Sequence, residues 1–277
     1  MYKILKKQQL NSVTYSMKIS APAVARKALP GQFIILRTDE FAERIPLTIA
    51  EYSREEGWIR IIYQSVGKAT MKLADLEEGD GILDFTGPLG QATELDGYKR
   101  VAVVGGGLGC AIAYPQAKFL YDMGVEVDII AGFRNTDMII LEEEMRAHCS
   151  KLVILTDDGS NGHKGLVTDG LRSLIEDGAK YDLVICIGPI MMMKFTSLLT
   201  KEFGIKTYVS MNPIMIDGTG MCGGCRVVVE GEIKFACVDG PDFDGHKVDF
   251  DQLLARTRVY AEQEKADADK HKCRVGL

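Results

Sequence analysis

The stretch Val101-Ala102-Val103-Val104-Gly105-Gly106-Gly107-Leu108-Gly109 decides the class of fold. Four consecutive apolar residues are typical of a parallel strand that is buried on both faces. The glycines after them let the backbone approach a pyrophosphate, and a helix predicted over 110–123 presents free N–H groups there. The stretch therefore predicts a dinucleotide site at Gly105, Gly106, Gly107 and Gly109. A glycine-rich turn without a ligand is the alternative.

The same alternation continues toward the C-terminus. Apolar strands are predicted over 125–131, 152–156 and 183–187, with helical segments around 138–148 and 168–178. Strands that are buried on both faces and alternate with helices indicate a parallel α/β sheet, which we assign to residues 98–208.

Ligands of such sheets lie at the carboxyl ends of the strands. The usual acidic residue at the end of the second strand is missing, because that strand ends in Gly132-Phe133-Arg134. The loops that follow the strands are nevertheless polar or contain glycine, and we expect them to face one crevice. The residues predicted to contact the nucleotide there are Gly132, Arg134, Asp157, Asp158, Gly188 and Pro189.

Residues 1–97 are rich in predicted β-structure. Apolar runs at 31–36, 45–49, 58–63 and 82–85 alternate with turn signals, and one helical segment is predicted over 68–76. Regular short strands of this kind indicate a small antiparallel barrel or sandwich. The predicted fold class is therefore an all-β unit followed by an α/β unit.

Two segments of the β-rich half suggest a flavin nucleotide. Arg44-Ile45-Pro46-Leu47-Thr48-Ile49 places a cation, a rigid proline and a hydroxyl on one strand, and Gly67-Lys68-Ala69-Thr70 begins the predicted helix. A pyrophosphate requires an arginine and helix-terminal N–H groups, whereas an isoalloxazine ring requires a flat backbone edge and a hydroxyl. Thr70 has a simpler interpretation as a helix cap.

Three of the seven cysteines, Cys222, Cys225 and Cys237, fall within 16 residues. With Asp217 they give the spacing Asp-x4-Cys-x2-Cys-x11-Cys, which is the plant-type ferredoxin pattern with aspartate in place of the first thiolate. The pattern predicts a 2Fe–2S cluster. A structural zinc site and a disulfide are the alternatives.

A hairpin connects the last two of these cysteines. A two-residue turn at Glu230-Gly231 pairs Val229 with Glu232 and Cys225 with Ala236. Cys237 is then one residue out of register with Cys225, within reach of a shared metal centre. A last helix is predicted over 249–265, and residues 209–277 form the third predicted domain.

The composition is that of a globular protein, with 46% hydrophobic and 26% charged residues in 277. The net charge of −6 and the absence of a Lys/Arg block disfavour nucleic acid and anionic membranes as partners. The most apolar stretch, 183–193, is interrupted by Gly188-Pro189 and is too short to span a bilayer. The N-terminal residues do not resemble a signal peptide, so we expect a cytoplasmic protein.

The motifs together resemble one family within the ferredoxin-reductase superfamily, whose barrel has an Arg-x-x-(Ser/Thr) flavin motif. The stretch Asn212-Pro213-Ile214-Met215-Ile216-Asp217-Gly218-Thr219-Gly220-Met221-Cys222-Gly223-Gly224-Cys225 is similar to the small (alpha) subunit of NADH-dependent reduced ferredoxin:NADP+ oxidoreductase, an electron-bifurcating transhydrogenase. That subunit is also named sulfide dehydrogenase subunit beta. The segments 44–50, 66–68, 105–109, 156–160 and 235–241 match its pattern as well.

The resemblance implies that NADH delivers hydride to FAD and that a 2Fe–2S cluster passes single electrons to a larger partner subunit. That partner would carry a second flavin, 4Fe–4S clusters and the NADP and ferredoxin sites, forming a heterodimer. Thr48 would be the catalytic contact at the flavin ring. Arg134 favours NADPH as the reductant, whereas the family favours NADH.

Three other interpretations remain open at this point. The electron-transfer subunit of dihydroorotate dehydrogenase is a related family, but its cluster has four cysteines, so Asp217 favours the transhydrogenase subunit. A stand-alone NAD(P)H reductase and a non-catalytic zinc-bearing nucleotide-binding module are the others. The superfamily often places a cysteine beside the nicotinamide; Cys186 lies one position early for that role.

Overall fold

Seven antiparallel strands near the N-terminus form one curled sheet in the computed structural model, which describes residues 1–275. The strands are β1 (Tyr2–Gln9), β2 (Thr14–Ser20), β3 (Phe33–Arg37), β4 (Ile45–Ser53), β5 (Trp58–Gln64), β6 (Gly81–Ile82) and β7 (Asp84–Leu89). Their spatial order is β6-β1-β2-β5-β4-β3-β7. Two short helices, α1 (Pro22–Ala25) and α2 (Lys68–Ala74), accompany the sheet. This sheet is the predicted antiparallel β-unit.

The second sheet has five parallel strands and one antiparallel edge strand. Its strands are β8 (Arg100–Gly106), β9 (Glu126–Phe133), β10 (Lys151–Thr156), β11 (Leu183–Ile187), β12 (Lys206–Ser210) and, from the C-terminal segment, β15 (Asp242–Asp244). Their order is β10-β9-β8-β11-β12-β15. The helices around it are α3 (Gly109–Asp122), α4 (Glu142–Ala147), α5 (Val167–Glu176) and α6 (Ile190–Glu202), with a 3-10 helix at Thr136–Met138. The predicted α/β sheet is thus confirmed.

The predicted hairpin is present as β13 (Arg226–Val229) and β14 (Glu232–Phe235). Val229 pairs with Glu232, and the amide N of Ala236 bonds the carbonyl O of Cys225 at 3.1 Å, as the two-residue turn requires. Both turn residues are left-handed, with φ of 55° at Glu230 and 80° at Gly231. A two-residue hairpin turn of this kind matches the twist of its strands.

The C-terminal helical region differs from the prediction. The chain forms two helices, α7 (Phe250–Thr257) and α8 (Ala261–Val275), rather than one helix over 249–265. A turn at 258–260 separates them and leaves Val259 and Tyr260 exposed. The predicted single helix is therefore divided in two, and these two apolar side chains lie in the turn between the helices.

Buried apolar clusters connect the parts of the molecule. Phe33 and Ile35 of β3, Val104 of β8, and the hairpin residues Cys225 and Cys237 belong to one core. The curled sheet, the parallel sheet and the hairpin are therefore packed together through shared side chains. None of the helices in the described part of the chain is long and apolar enough to cross a membrane.

Candidate functional site

A cleft of about 1450 Å³ runs between the curled sheet and the carboxyl ends of the parallel strands. Its volume exceeds the ~300–1,000 Å³ that one drug-sized ligand usually occupies. The cleft is therefore large enough for two nucleotide-sized groups side by side. The predicted site residues that line it are Pro46, Leu47, Thr48, Gly106, Gly107, Gly109, Gly132, Arg134, Asp157, Gly188 and Pro189.

The glycine loop has the geometry that a pyrophosphate needs. A Cβ on Gly109 would collide with the carbonyl oxygen of Ile187, so glycine is required for α3 to pack against β11. Gly107 has φ +55° and nothing within 4 Å of an added Cβ, so its backbone faces open space in the cleft. The N-cap of α3, Leu108, makes no side-chain capping bond. The helix N-terminus is thus free to bind an anion.

Gly105 has a different position from its neighbours. It is the sixth residue of β8, and a Cβ there would approach the Cα and Sγ of Cys110 to 2.8 Å. Gly105 does not line the large cleft; it packs the strand against the first turn of α3. Its role in the structure is close packing of helix on strand.

The predicted flavin motif, residues 44–49 at the start of β4, lies only partly in the cleft. Pro46, Leu47 and Thr48 line the cleft, and Thr48 lies opposite Phe33 in the β3–β4 ladder. Ile49 is buried in the core of the curled sheet, because successive strand residues point to opposite faces. Arg44 is exposed, one residue before β4 begins. It is not among the lining residues of the cleft.

The second predicted flavin segment lies at the start of α2, and Val66, just before it, lines the cleft. The Thr70 hydroxyl accepts a hydrogen bond from the amide N of Gly67 at 3.0 Å, so Thr70 caps its own helix. Ala69 is buried in the structure, and Lys68 Nζ lies 3.7 Å from Asp267 Oδ2 of α8. The four residues from Gly67 to Thr70 are outside the lining of the cleft.

The loops after the parallel strands converge as predicted. The amide N of Asp157 bonds the carbonyl O of Phe133 at 3.0 Å, which places the loop after β10 beside Arg134. Asp158 lies outside the cleft lining, and its carboxylate accepts from the amide N of Ser160 at 2.9 Å. That bond lowers the pKa of Asp158. Asp157 and Arg134 thus bring a carboxylate and a guanidinium to the β9–β10 end of the cleft, whose lining also includes Asp169, Arg172 and Glu202.

Several lining residues were missed by the sequence motifs. They include Gln64 at the end of β5, Phe195 on α6, Ser210 at the end of β12 and Asn212 just after it. Only Asn212 stands in a quoted motif, and α6 itself was not predicted because its start continues the apolar run of β11. A polar residue at the end of a parallel strand was the available signal for Ser210.

The hairpin brings two of the predicted metal ligands together. Cys225 Sγ and Cys237 Sγ are 3.2 Å apart, and both residues are buried. Two thiolates on one tetrahedral metal at ~2.3 Å would be about 3.7 Å apart, so this pair fits a shared metal ion with a small adjustment. Burial raises the pKa of the Cys237 thiol to about 12. Metal binding must therefore displace a proton there.

Asp217 and Cys222 form a second pair on the loop before the hairpin. The amide N of Cys222 donates to Asp217 Oδ2 at 2.7 Å, and the amide N of Thr219 donates to Oδ1 at 2.9 Å. These bonds lower the pKa of Asp217, so its carboxylate is ionised. Cys222 is exposed. Within the described residues no three Cys, His, Asp or Glu side chains converge on one point.

Cys186 is not available for chemistry in the cleft. It is buried in β11, and burial raises the pKa of its thiol to about 12. The six cysteines whose side chains the structure describes are free thiols.

Comparison with known proteins defines the class first and the family next. The chain superposes on the ferredoxin reductase of carbazole 1,9a-dioxygenase with a TM-score of 0.65 at 18% identity, over 74% of this chain and 65% of that one, which shows a shared fold. Residues 212–249 match the family model described as the iron-sulfur cluster binding domain of dihydroorotate dehydrogenase B. The chain thus has the ferredoxin-reductase fold, with a segment that is similar to an iron–sulfur cluster binding domain.

The relatives are more specific. A Thermotoga maritima homologue of the dihydroorotate dehydrogenase B (NAD(+)) electron transfer subunit is 46% identical, over 96% of this chain and 94% of its own. A chain of the NADH-dependent reduced ferredoxin-NADP oxidoreductase structure, described as giving insights into flavin-based electron bifurcation, superposes with a TM-score of 0.92 at 45% identity, covering 98% and 97%. The Clostridium perfringens electron transfer subunit is 34% identical, over 85% and 92%. The chain belongs to this family of electron-transfer subunits.

Proposed function

We propose that this chain takes electrons from NADH in the cleft and delivers them to a larger partner subunit. The observation that carries the proposal is the continuity of the cleft with the hairpin core. Met211 and Met215 line the cleft and belong to the same buried cluster as Cys225 and Cys237. Bound FAD would accept two electrons as a hydride from NADH, and a bound 2Fe–2S cluster would pass them on singly.

The flavin end of the cleft is assigned to β3 and β4. Thr48 offers a hydroxyl to the ring, while Pro46 has no N–H and leaves a flat edge. Arg44 is exposed at the entrance of the same strand and would bind the FAD pyrophosphate. Gly67, Lys68, Ala69 and Thr70 would assist only from outside the cleft, because Thr70 is engaged as a cap.

Arg44→Ala should therefore yield folded protein with much less FAD. Losing one charge-assisted contact costs ~1.5–3 kcal/mol of binding free energy. The measurement is the FAD-to-protein ratio after dialysis, with the exposed Arg26 replaced by alanine as control. Stoichiometric FAD in the Arg44→Ala protein would count against the assignment.

The nicotinamide nucleotide is assigned to the loops of the parallel sheet. Gly106, Gly107 and Gly109 would hold its pyrophosphate at the N-terminus of α3, and Gly188 and Pro189 would border the nicotinamide half. The β9–β10 end then receives the adenosine half. The acidic residue missing after β9 would be supplied by Asp157 of the neighbouring strand, since its amide is bonded to Phe133. A carboxylate there binds ribose hydroxyls and favours NADH over NADPH.

The cluster ligands are proposed as Asp217, Cys222, Cys225 and Cys237, one pair for each iron. Cys225 and Cys237 are already adjacent on the hairpin, and Asp217 and Cys222 are adjacent on the loop. Cluster binding would turn the Asp217 carboxylate and the exposed Cys222 toward the buried pair. Glycines at 218, 220 and 223 have positive φ, so this loop is built for close wrapping.

The partner is proposed as a larger subunit with a second flavin and 4Fe–4S clusters, which would pass electrons between NADPH and ferredoxin. The relatives are named as subunits, and the exposed Met221 beside Cys222 provides an apolar contact for another chain. We place the heterodimer in the cytoplasm, where its thiols stay reduced. We also propose the three domains 1–97, 98–208 and 209–277.

A second candidate is the electron-transfer subunit of a dihydroorotate dehydrogenase B. The iron–sulfur family model over 212–249 favours it, whereas an aspartate at the first ligand position favours the transhydrogenase. The test is to purify the tagged chain anaerobically with its bound subunit. A partner containing 4Fe–4S clusters that reduces NADP+ with NADH and reduced ferredoxin supports the first candidate. A partner that oxidises dihydroorotate supports the second.

A further inference from the structure

A carboxyl group lies where three parts of the chain meet. Asp242, the first residue of β15, accepts hydrogen bonds at Oδ2 from the Thr93 hydroxyl and from Gln116 Nε2, the latter at 2.9 Å. Gln116 Nε2 also donates to Thr93 Oγ1 at 2.7 Å. Thr93 belongs to the connection between the two sheets, and Gln116 is fully buried on α3. One triangle of side chains thus joins the connection, the parallel sheet and the C-terminal segment.

In the part of the chain that the structure describes, Asp242 is buried without a counter-ion, which favours the neutral acid. Both donors go to Oδ2, while Oδ1 is buried and has no hydrogen-bond partner. An ionised carboxylate has about four acceptor sites and is costly to bury with so few donors. Asp128 also has a buried Oδ1 without a partner, but it bonds Arg100 at 2.8 Å, whereas among the described residues no cation pairs with Asp242. Burial raises the pKa of Asp242, and hydrogen bonds from Thr93, Ser210 and Gln116 act against that rise.

Two glycines, Gly31 and Gly90, allow close packing around Asp242. A Cβ on Gly31 would collide with the Thr93 hydroxyl, and a Cβ on Gly90 would lie 3.0 Å from the carbonyl O of Gly240. The amide N of Gln91 donates to that same carbonyl at 2.6 Å. The segment that carries the proposed cluster ligands therefore rests directly on the edge of the curled sheet.

The same carboxyl group backs the wall of the cleft. Ser210, its partner in the β12–β15 ladder, lines the cleft, and the amide N of Met211 bonds the carbonyl O of Pro241 at 2.9 Å. A shift of Asp242 would move this wall relative to the connection at Thr93.

We propose that Asp242 is a positioning residue that acts through hydrogen bonds rather than charge. It holds the segment that carries the proposed cluster ligands at a fixed distance from the end of the cleft formed by β3 and β4. This inference rests on the proposed function, in which electrons leave the flavin for the cluster. Asp242 touches neither group in this role; it sets the geometry between them.

The test compares Asp242→Asn, Asp242→Leu and Thr93→Val in the cofactor-loaded protein. Asparagine keeps the shape and neutrality, so it should preserve native hydrogen exchange in segments 90–95 and 238–244. Leucine and Thr93→Val should raise exchange in both segments by about tenfold or more. In single-turnover experiments leucine should slow reduction of the cluster by at least about tenfold while the rate of flavin reduction by NADH stays native.

The matched control is Asp128→Asn, which removes a charge from a buried ion pair. That variant should lower the thermal midpoint, whereas Asp242→Asn should leave it within about 2 °C of native. The inference would be overturned if Asp242→Asn raised hydrogen exchange as much as Asp242→Leu does. It would also be overturned if Asp242→Leu kept native exchange in residues 90–95. A native protein without a cluster would contradict the proposed function instead, and the exchange result would still be decisive for Asp242.

Discussion

Asp157 and Arg134 bring opposite charges to the β9–β10 end of the cleft, where we propose that the adenosine half of the nucleotide binds. The hydrogen bond from the amide N of Asp157 to the carbonyl O of Phe133 holds the backbone of Asp157 beside the end of the second strand, where other dinucleotide folds have an acidic residue. Both side chains are exposed. We propose that the Asp157 carboxylate meets the ribose and makes NADH the preferred nucleotide.

Asp157→Ser should therefore increase the ratio of kcat/KM for NADPH to that for NADH by about tenfold or more. The Asp157 carboxylate would make a charge-assisted hydrogen bond to the ribose of NADH, which contributes ~1.5–3 kcal/mol of binding free energy. The same carboxylate would repel the 2′-phosphate of NADPH. The measurement is flavin reduction with each nucleotide. Asp158→Asn is the control, because Asp158 lies outside the cleft and should leave the ratio native. An unchanged ratio in Asp157→Ser would place the ribose elsewhere.

Two glycines of the nucleotide loop have different roles, one in helix packing and one in access to the cleft, which the sequence alone could not distinguish. Gly109→Ala should destabilise the fold, because its Cβ would collide with the carbonyl O of Ile187. Gly107→Ala should cost only about 1–2 kcal/mol for its left-handed backbone, yet it should weaken NADH binding because its Cβ enters the cleft. Urea unfolding and the KM for NADH distinguish the two. A native KM in Gly107→Ala would show that the pyrophosphate does not approach this loop.

The hairpin β13–β14 is the element where sequence and structure agree most closely. The turn, the register and the position of Cys237 all follow from Glu230-Gly231 and from the alternation of strand residues. The helix α6 is the opposite case. Its first residues, Ile190 to Met193, extend the apolar run of β11, so periodicity alone could not separate strand from helix.

The candidate site shows the same limit. Strand ends and glycines could be located from their motifs, so Thr48, Gly107 and Asp157 were predicted and do meet in one cleft. Asp242 was not predicted, because its partners Thr93 and Gln116 are distant in sequence and belong to no motif. Contacts of that kind depend on tertiary packing.

Substitutions in the cluster segment test its ligands. Asp217→Cys should keep a 2Fe–2S centre with a more ferredoxin-like spectrum and an altered potential, since thiolate is softer than carboxylate. Cys225→Ala should lose the cluster, while Cys149→Ser, outside the hairpin, should keep it. Electron paramagnetic resonance of the dithionite-reduced proteins is the measurement. An unchanged signal in Asp217→Cys would mean that another residue is the fourth ligand.

The whole molecule places its proposed cofactor sites along one path. The parallel sheet holds the nucleotide loop, the curled sheet holds the flavin strand, and the hairpin core adjoins the wall between them. Met215 lines the cleft and is packed in the same buried cluster as Cys225, so the cleft adjoins the proposed cluster site directly. We therefore propose that the chain by itself is a relay and that branching of electrons requires the partner.

Anaerobic titration of the isolated chain with NADH tests this path most directly. Visible absorption follows the flavin, and electron paramagnetic resonance follows the cluster in the same samples. We predict that NADH alone bleaches the flavin and produces the signal of a reduced 2Fe–2S centre, and that Cys225→Ala bleaches without that signal. A native protein that contains no iron, or whose cluster dithionite reduces but NADH does not, would contradict a relay from nucleotide to cluster within this chain.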